Sequence, residues 1–163
     1  MGQIHPSSSN GHKFIIIATD YFMKWVEAVP LSQANGKTIA LFIKNYIICR
    51  YGVPSSIVTD NGGHFKNKDL KELCKKCKIT QHWSSIYYPR GNGQAEASNK
   101  AILKILHRTV SKFGRDYYLH INLALWAYET SIRTSKRAMP FSLVYEQMLC
   151  YQLRSRFLLY ESP

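Results

Sequence analysis

Two acidic residues stand where a carboxylate could do chemistry. Asp60 follows the short apolar run 56–59 and precedes Gly62 and Gly63, a pattern that predicts the end of a strand and then a turn. Glu96 follows the glycine-containing segment 91–93 and begins a predicted helix, with 35 residues between the two carboxylates. Such oxygens can converge in one cleft, and they are the ligands that Mg2+ prefers. The pattern predicts a divalent metal site. Two ions bound there would stabilise both the attacking and the leaving oxygen at a phosphorus centre.

A row of cations follows Glu96 on the same predicted helix. Lys100, Lys104, Arg108 and Lys112 recur at steps of four residues, so the row drifts by about 40° per step around the helix. A basic ridge beside metal-binding carboxylates suits a phosphate backbone, although a solvated helix face explains the spacing equally well. For the lysine-rich block 66–78, the solvated face is the favoured interpretation.

Composition favours a single folded domain with a polyanionic partner. The chain has 163 residues, is 45% hydrophobic and carries a formal net charge of +12. The apolar content excludes intrinsic disorder, and the charge suits nucleic acid or an acidic membrane surface. No apolar run is long enough to span a membrane, and the polar start predicts no signal peptide. Cys74 and Cys77 have the spacing of half a zinc site, but an ordinary helical pair is favoured.

Strand and helix signals alternate along the chain, which predicts an α/β three-layer domain. Strands are expected at 12–19, 24–30, 56–59 and 79–84, with a hairpin turn between the first two. Helices are expected at 37–50, 67–78, 94–113 and 117–133, with one more turn at 140–145. Residues 85–94 are expected to form a mobile loop. The helix 117–133 is so apolar that it belongs either in the domain's own core or at a homodimer interface.

Several of these motifs occur together in a known family. Thr59-Asp60-Asn61-Gly62 and the run 92–100, Asn-Gly-Gln-Ala-Glu-Ala-Ser-Asn-Lys, resemble the integrase catalytic core of gypsy-type long-terminal-repeat retrotransposons, which are relatives of retroviruses. The resemblance covers about residues 2–147. Four flanking motifs agree with it, at 18–28, 51–54, 128–135 and 140–145.

The resemblance implies a ribonuclease-H-like fold, with a mixed sheet flanked by helices, and DNA strand transfer that depends on Mg2+ or Mn2+. Asp60 matches the second catalytic Asp and Glu96 matches the catalytic Glu. The implied partners are the DNA ends of the element and target DNA, and the implied location is intracellular, in the nucleus. The expected nucleic-acid-binding residues come from the family's active-site loop, the catalytic helix and its basic ridge: Tyr87, Arg90, Asn92, Asn99, Lys100, Lys104 and Arg108.

The chain also departs from the family pattern. The leading catalytic Asp belongs to an Asp-x-x-Gly motif, and a match to Gly2 places that Asp before Met1. Asp20 does not replace it by motif. We therefore expect a truncated first, central strand and no catalysis by the chain as given. His64 and Arg90 stand where Asn and Gln are commoner in the family.

The end of the chain departs from the pattern as well. After Glu146 it leaves the family sequence in a way that predicts a frameshift at about 147–150. The expected organisation is an integrase core over 1–147 and a divergent tail over 148–163.

Two other functions stay open at this stage. The first is a non-catalytic remnant that binds nucleic acid or associates with itself. The second, a ribonuclease H-like nuclease acting on RNA–DNA hybrids, shares the fold but is disfavoured by the spacing of Asp60 and Glu96 and by the flanking motifs.

Overall fold

Short strands alternate with helices along the chain, as predicted. The computed structural model describes residues 4–5, 7–59, 63–83, 89–134 and 136–146, and for residues 89–99 it describes the backbone only. In chain order the elements are β1 (Phe14–Thr19), β2 (Val26–Leu31), α1 (Gly36–Phe42), a π-helical segment (Ile43–Ile48), α2 (Cys49–Tyr51), β3 (Ser56–Thr59), α3 (Lys68–Lys76), β4 (Thr80–Trp83), α4 (Pro89–Phe113), α5 (Tyr117–Glu129) and α6 (140–146). None of the described helices is long and apolar enough to cross a membrane.

Strands β1 and β2 form the predicted antiparallel hairpin, with Ile16 opposite Val29. Its turn is built by Asp20, whose Oδ1 accepts hydrogen bonds from the backbone N–H groups of Phe22 (2.9 Å) and Met23 (2.6 Å). An aspartate that binds its own following amides is a standard turn-former.

The predicted helix 37–50 is present as one continuous unit with an unusual centre. The helix α1 passes into the π-helical segment and then into α2. It stops at Gly52, which has a φ of +88°, a conformation that glycine adopts without the cost a side chain imposes.

Strands β3 and β4 lie parallel, connected through α3, with Thr59 opposite Trp83. The helix α3 begins after Asn67, whose side-chain oxygen accepts a hydrogen bond from the Leu70 N–H at 2.8 Å. Cys74 lies within α3, and Cys77 is the residue that caps its end.

Two apolar clusters cover the two faces of the β1–β2 hairpin. Ile16 packs with α1, α3 and Ile79, while Ile15 on the opposite face packs with α4 and α5. Alternate residues of one strand thus enter different layers, and the three-layer arrangement is confirmed.

The two strand pairs do not join into one sheet within the described residues: β1 pairs with β2, and β3 pairs with β4. Both pairs contact the same cluster, since Ile57 of β3 packs against the group that contains Ile16. Within the described residues the mixed sheet is therefore present as an antiparallel half and a parallel half. Val58 of β3 is exposed although it is apolar.

Two predicted boundaries are wrong. The helix α4 begins at Pro89, so residues 89–93, including Asn92, are helical and not loop. Proline is well tolerated at the first position of a helix, where its missing N–H needs no partner. The helix α5 ends at Glu129 and not at residue 133, and the Ser131 N–H donates to the Tyr128 carbonyl, three residues back and not four. The additional turn at 140–145 is confirmed by α6.

Candidate metal and DNA site

The candidate site begins at the carboxyl edge of the parallel strands β3 and β4. Thr59 and Trp83 are opposite each other at the last position of these strands. Asp60 directly follows Thr59, and it lies outside the described residues together with Tyr87. The chain therefore leaves both strands at one edge, as the sequence predicts for a site assembled there.

Two polar groups of the described residues, a hydroxyl and an ammonium, lie at this edge. The buried hydroxyl of Thr59 has no hydrogen-bond partner among the described residues. The Lys66 ammonium lies 5.5 Å from the centre of the Trp83 ring. A hydroxyl and a cation thus lie at the last residues of β3 and β4, where the chain leaves the two strands.

Glu96 lies on the helix α4, seven residues after its start at Pro89. Arg90, Asn92 and Asn99 lie on the same helix, but their side chains, like that of Glu96, are outside the described residues. The distance between the carboxylates of Asp60 and Glu96 therefore remains a prediction.

The basic ridge of α4 comprises Lys100, Lys104 and Arg108, and all three are exposed. Ile102 and Leu106 are buried on the same helix, and each follows a ridge residue by two positions, or about 200° around the axis. Within the described residues, no ion pair involves a ridge residue. The predicted face is confirmed as a row of solvated cations, and its contact with DNA stays a proposal.

A partly buried polar cluster around Glu27 was missed by the sequence analysis. The Glu27 carboxylate accepts hydrogen bonds from Arg50 Nη1 (3.1 Å), Tyr51 Oη (2.5 Å) and Trp25 Nε1 (3.3 Å). Burial, reinforced by the hydrogen bond to Glu27, raises the pKa of Tyr51 far above its ordinary value. The only signal in the sequence was an acidic residue within an apolar strand.

Glu129 on α5 is a second buried carboxyl near this cluster. Burial, and then the negative charge of Glu27, raise the pKa of Glu129 to about 8. The raised pKa favours the protonated carboxyl, which spares the fold a second buried negative charge.

Comparison with known proteins agrees with this architecture. The family model described as "Integrase core domain" matches residues 3–89. The retrovirus-related Pol polyprotein from transposon 412 of Drosophila melanogaster is 24% identical over 140 residues, which are 86% of this chain and 11% of that protein. The Pol polyprotein of Radiation murine leukemia virus (strain Kaplan) is 31% identical over 117 residues, 71% of this chain and 20% of that protein.

A third relative is a retrotransposon protein, the Transposon Tf2-3 polyprotein of Schizosaccharomyces pombe. It is 25% identical over 138 residues, 84% of this chain and 10% of that protein. The chain thus spans a tenth to a fifth of the length of these relatives. Because they include both retrotransposon and retroviral proteins, they support the broader family, and the gypsy-type subdivision stays a prediction.

Solved structures confirm the ribonuclease-H-like fold. The crystal structure of the catalytic core domain of BIV integrase aligns with a TM-score of 0.69 at 23% identity, covering 85% of this chain and 90% of that one. A chain in the cryo-EM structure of the simian T-cell lymphotropic virus intasome in complex with PP2A regulatory subunit B56 gamma aligns with a TM-score of 0.71 at 19% identity. It covers 99% of this chain and 55% of that one. The chain therefore belongs to the integrase core domain family, a family of DNA integration that uses divalent metal ions.

Proposed function

We propose that this chain supplies two carboxylates and a DNA-binding helix to the strand-transfer centre of an integrase. Asp60 and Glu96 bind a divalent cation, and the α4 ridge holds the DNA backbone. The observation that carries the proposal is that Glu96 and the exposed ridge lie on one helix, with Lys100 one turn after Glu96. A cation site and a phosphate-binding surface thereby become continuous.

The donor chemistry of the proposed site fits Mg2+ or Mn2+. Both proposed ligands are carboxylates, the hard oxygen donors that these ions select. The buried Thr59 hydroxyl beside Asp60 lacks a partner among the described residues, so it could bind a water molecule of a hydrated ion. When bound, such ions stabilise negative charge on the oxygens of a phosphodiester.

The ridge has a separate task, which is to position DNA. Successive ridge residues are about 6 Å apart along the helix axis, on the side of α4 that faces away from the core. Each cation can neutralise one phosphate without reading a base, so binding should be tolerant of sequence. Arg90, Asn92 and Asn99 lie on the same helix nearer its start, and with Tyr87 they are the further proposed contacts.

The carboxylates can be tested through metal binding by the chain itself. We expect Mn2+ to raise the midpoint of thermal unfolding of the wild type, and Asp60→Asn and Glu96→Gln each to reduce that increase. Asp69→Asn is the control, because Asp69 is an exposed carboxylate on α3. An equal response to Mn2+ in all four proteins would contradict the metal site and leave the non-catalytic nucleic-acid-binding remnant as the better hypothesis.

A second proposal concerns self-association through α5. Leu119, Leu123 and Trp126 follow one another around one side of this helix, and their exposed fractions are 63%, 61% and 58%. Three large apolar residues left in water on one helix face indicate an interaction surface. We propose that a second copy of this chain covers this face, which makes the protein a homodimer.

A further inference from the structure

Two turns that are far apart in sequence meet on the surface. The first is the β1–β2 turn, residues 20–24. The second, called the turn 133–138 for its described residues 133–134 and 136–138, has a β-bridge between Arg133 and Ala138, and the Arg133 carbonyl accepts hydrogen bonds from the Lys136 and Arg137 N–H groups. The turns touch where the Lys136 ammonium lies 3.9 Å from the centre of the Phe22 ring.

Lys24 in the first turn is a buried cation without a polar partner. The residue is 1% exposed, and its Nζ makes no hydrogen bond within the described part of the chain. Its ammonium lies 4.5 Å from the centre of the Tyr21 ring. Burial, and then the positive charge of Lys136, lower the pKa of Lys24, while Asp20 opposes them. Within the described residues Asp20 forms no ion pair with Lys24, and its Oδ1 accepts hydrogen bonds from two backbone amides.

The second turn also contains a cation with a buried donor that no described residue binds. Arg133 stacks its guanidinium 3.6 Å from the centre of the Tyr128 ring and donates through Nη2 to the Tyr128 carbonyl. Its buried Nε has no hydrogen-bond partner among the described residues. Burying a donor or a positive charge without a partner costs free energy. A bound anion would therefore stabilise both turns.

The same surface carries aromatic rings in water. Tyr21 and Phe22 are each 59% exposed, and each has an ammonium group over its ring. Exposed rings beside cations are what a nucleic acid strand with unstacked bases requires, because a base stacks on the ring while the phosphate contacts the cation. A duplex keeps its bases paired and stacked, and it cannot use these rings in the same way.

We propose that the turns 20–24 and 133–138 form a second nucleic-acid-binding surface, specific for single-stranded DNA. Lys136 and Arg137 contact phosphates, Tyr21 and Phe22 stack on bases, and Lys24 and Arg133 supply positive charge from beneath. The proposal rests on the proposed function in one respect, that the chain acts on DNA. It assigns the α4 ridge to duplex DNA and the two turns to an unpaired segment.

Fluorescence anisotropy with two labelled probes tests the assignment, a 20-nucleotide thymidine strand and a 20-base-pair blunt duplex. We expect Lys136→Glu and Phe22→Ser each to weaken binding of the single strand by at least about fivefold, since stacking contributes about 1–3 kcal/mol per base. Binding of the duplex should change by less than about twofold. Lys104→Glu should show the opposite preference, and Lys37→Glu, an exposed lysine at the start of α1, is the charge-matched control.

The outcomes separate this proposal from the proposed function. If Lys136→Glu and Phe22→Ser bind the single strand as Lys37→Glu does, the second surface is wrong. If Lys104→Glu binds the duplex as Lys37→Glu does, the ridge is wrong. An acidic peptide that binds the two turns more tightly than the thymidine strand would also overturn the proposal.

Lys24→Met should change stability and DNA affinity in opposite directions. Because it removes a buried unpaired charge, we expect it to raise the thermal midpoint without DNA and to weaken binding of the thymidine strand by about threefold. A lower midpoint with unchanged affinity would show that Lys24 serves the fold alone and would remove it from the surface. If this variant fails to fold, Lys136→Glu still decides, because Lys136 is partly exposed.

Discussion

Glu129 shows how one buried carboxyl makes the stability of the fold depend on pH. Its pKa is raised to about 8, first by burial and then by the charge of Glu27. The folded state therefore binds a proton that the unfolded state releases near pH 4.5. Between these two values the folded state binds more protons, so the contribution of Glu129 to stability falls as the pH rises.

Glu129→Gln should remove this dependence. We expect the variant to be more stable than the wild type by about 1–3 kcal/mol at pH 8, because a neutral amide replaces a carboxyl that must ionise while buried. The difference in stability between the variant and the wild type should shrink towards pH 5. Chemical denaturation at a series of pH values measures it.

Glu72→Gln is the matched control, since Glu72 is an exposed carboxylate on α3 paired with Lys68 at 3.6 Å. Its effect should stay within about 0.5 kcal/mol at every pH. A Glu129→Gln profile parallel to that of the wild type would show that Glu129 is ionised in the folded state.

At the scale of the element, α4 presents its buried side to the core and its cations to solvent. Charge reversal of both Lys100 and Lys104 should weaken duplex binding to all sequences by a similar factor, because phosphates carry no sequence information. Wild-type affinity should fall steeply between roughly 50 and 200 mM salt, and the double variant should have a shallower salt slope. An affinity that stays flat with salt would contradict backbone binding by the ridge.

The helix α5 combines both interpretations that its sequence allowed. Ile121, Leu125 and Tyr128 are buried in the domain's own core, whereas Leu119, Leu123 and Trp126 are exposed. The core therefore accounts for one apolar side of the helix only, and the homodimer stays our proposal for the other side.

Trp126→Lys should prevent self-association while leaving the core intact. We expect the wild type to sediment as a dimer at tens of micromolar and the variant as a monomer, because a charge at the centre of an apolar interface is not neutralised there. Val53→Lys places the same charge on another exposed apolar residue and should sediment as the wild type does. A wild type that is monomeric at this concentration would exclude the α5 dimer.

For the whole molecule, the main structural feature is the division between β1 and β3. The two strand pairs share one apolar cluster but no strand-to-strand hydrogen bonds within the described residues. Ile4 lies at the end of β1 farthest from the β1–β2 turn, where its N–H donates to the Lys13 carbonyl at 2.7 Å. Unpaired strand edges beside an apolar core reduce stability and favour association.

An added strand ahead of residue 1 tests this feature. We expect an extension with alternating apolar residues and an Asp-x-x-Gly motif to raise the thermal midpoint, because it can pair with β1 and β3. The same extension with a central proline should give no increase, since proline cannot donate to the ladder. Equal midpoints for the two extensions would show that no strand position exists between the halves.

The same extension tests whether the leading Asp of the Asp-x-x-Gly motif completes the site. With Asp in its motif, we expect strand transfer that depends on Mg2+, and with Asn in its place a protein of equal stability that joins no DNA. Strand transfer by the unextended chain at a similar rate would mean that another carboxylate completes the site. Asp20 would be examined first, although two backbone amides already engage its Oδ1.

Much of this protein follows from local sequence. The hairpin turn at Asp20, the start of α3 at Asn67 and the end of β3 at Thr59 were predictable, because each depends on the few residues around it. The family follows from sequence as well, since its motifs are short and ordered along the chain. The basic face of α4 was predictable because helical period alone separates Lys104 from Leu106.

Only the tertiary structure decided which of these features meet. Glu27, Arg50 and Glu129 come from β2, α2 and α5, and no local pattern indicates that Arg50 pairs with Glu27 or that the charge of Glu27 acts on Glu129. Lys24 became buried and Lys136 reached the ring of Phe22 because two distant turns pack together. Local spacing determines helices, strands and their faces, whereas the burial of a charge depends on residues that the chain brings from elsewhere.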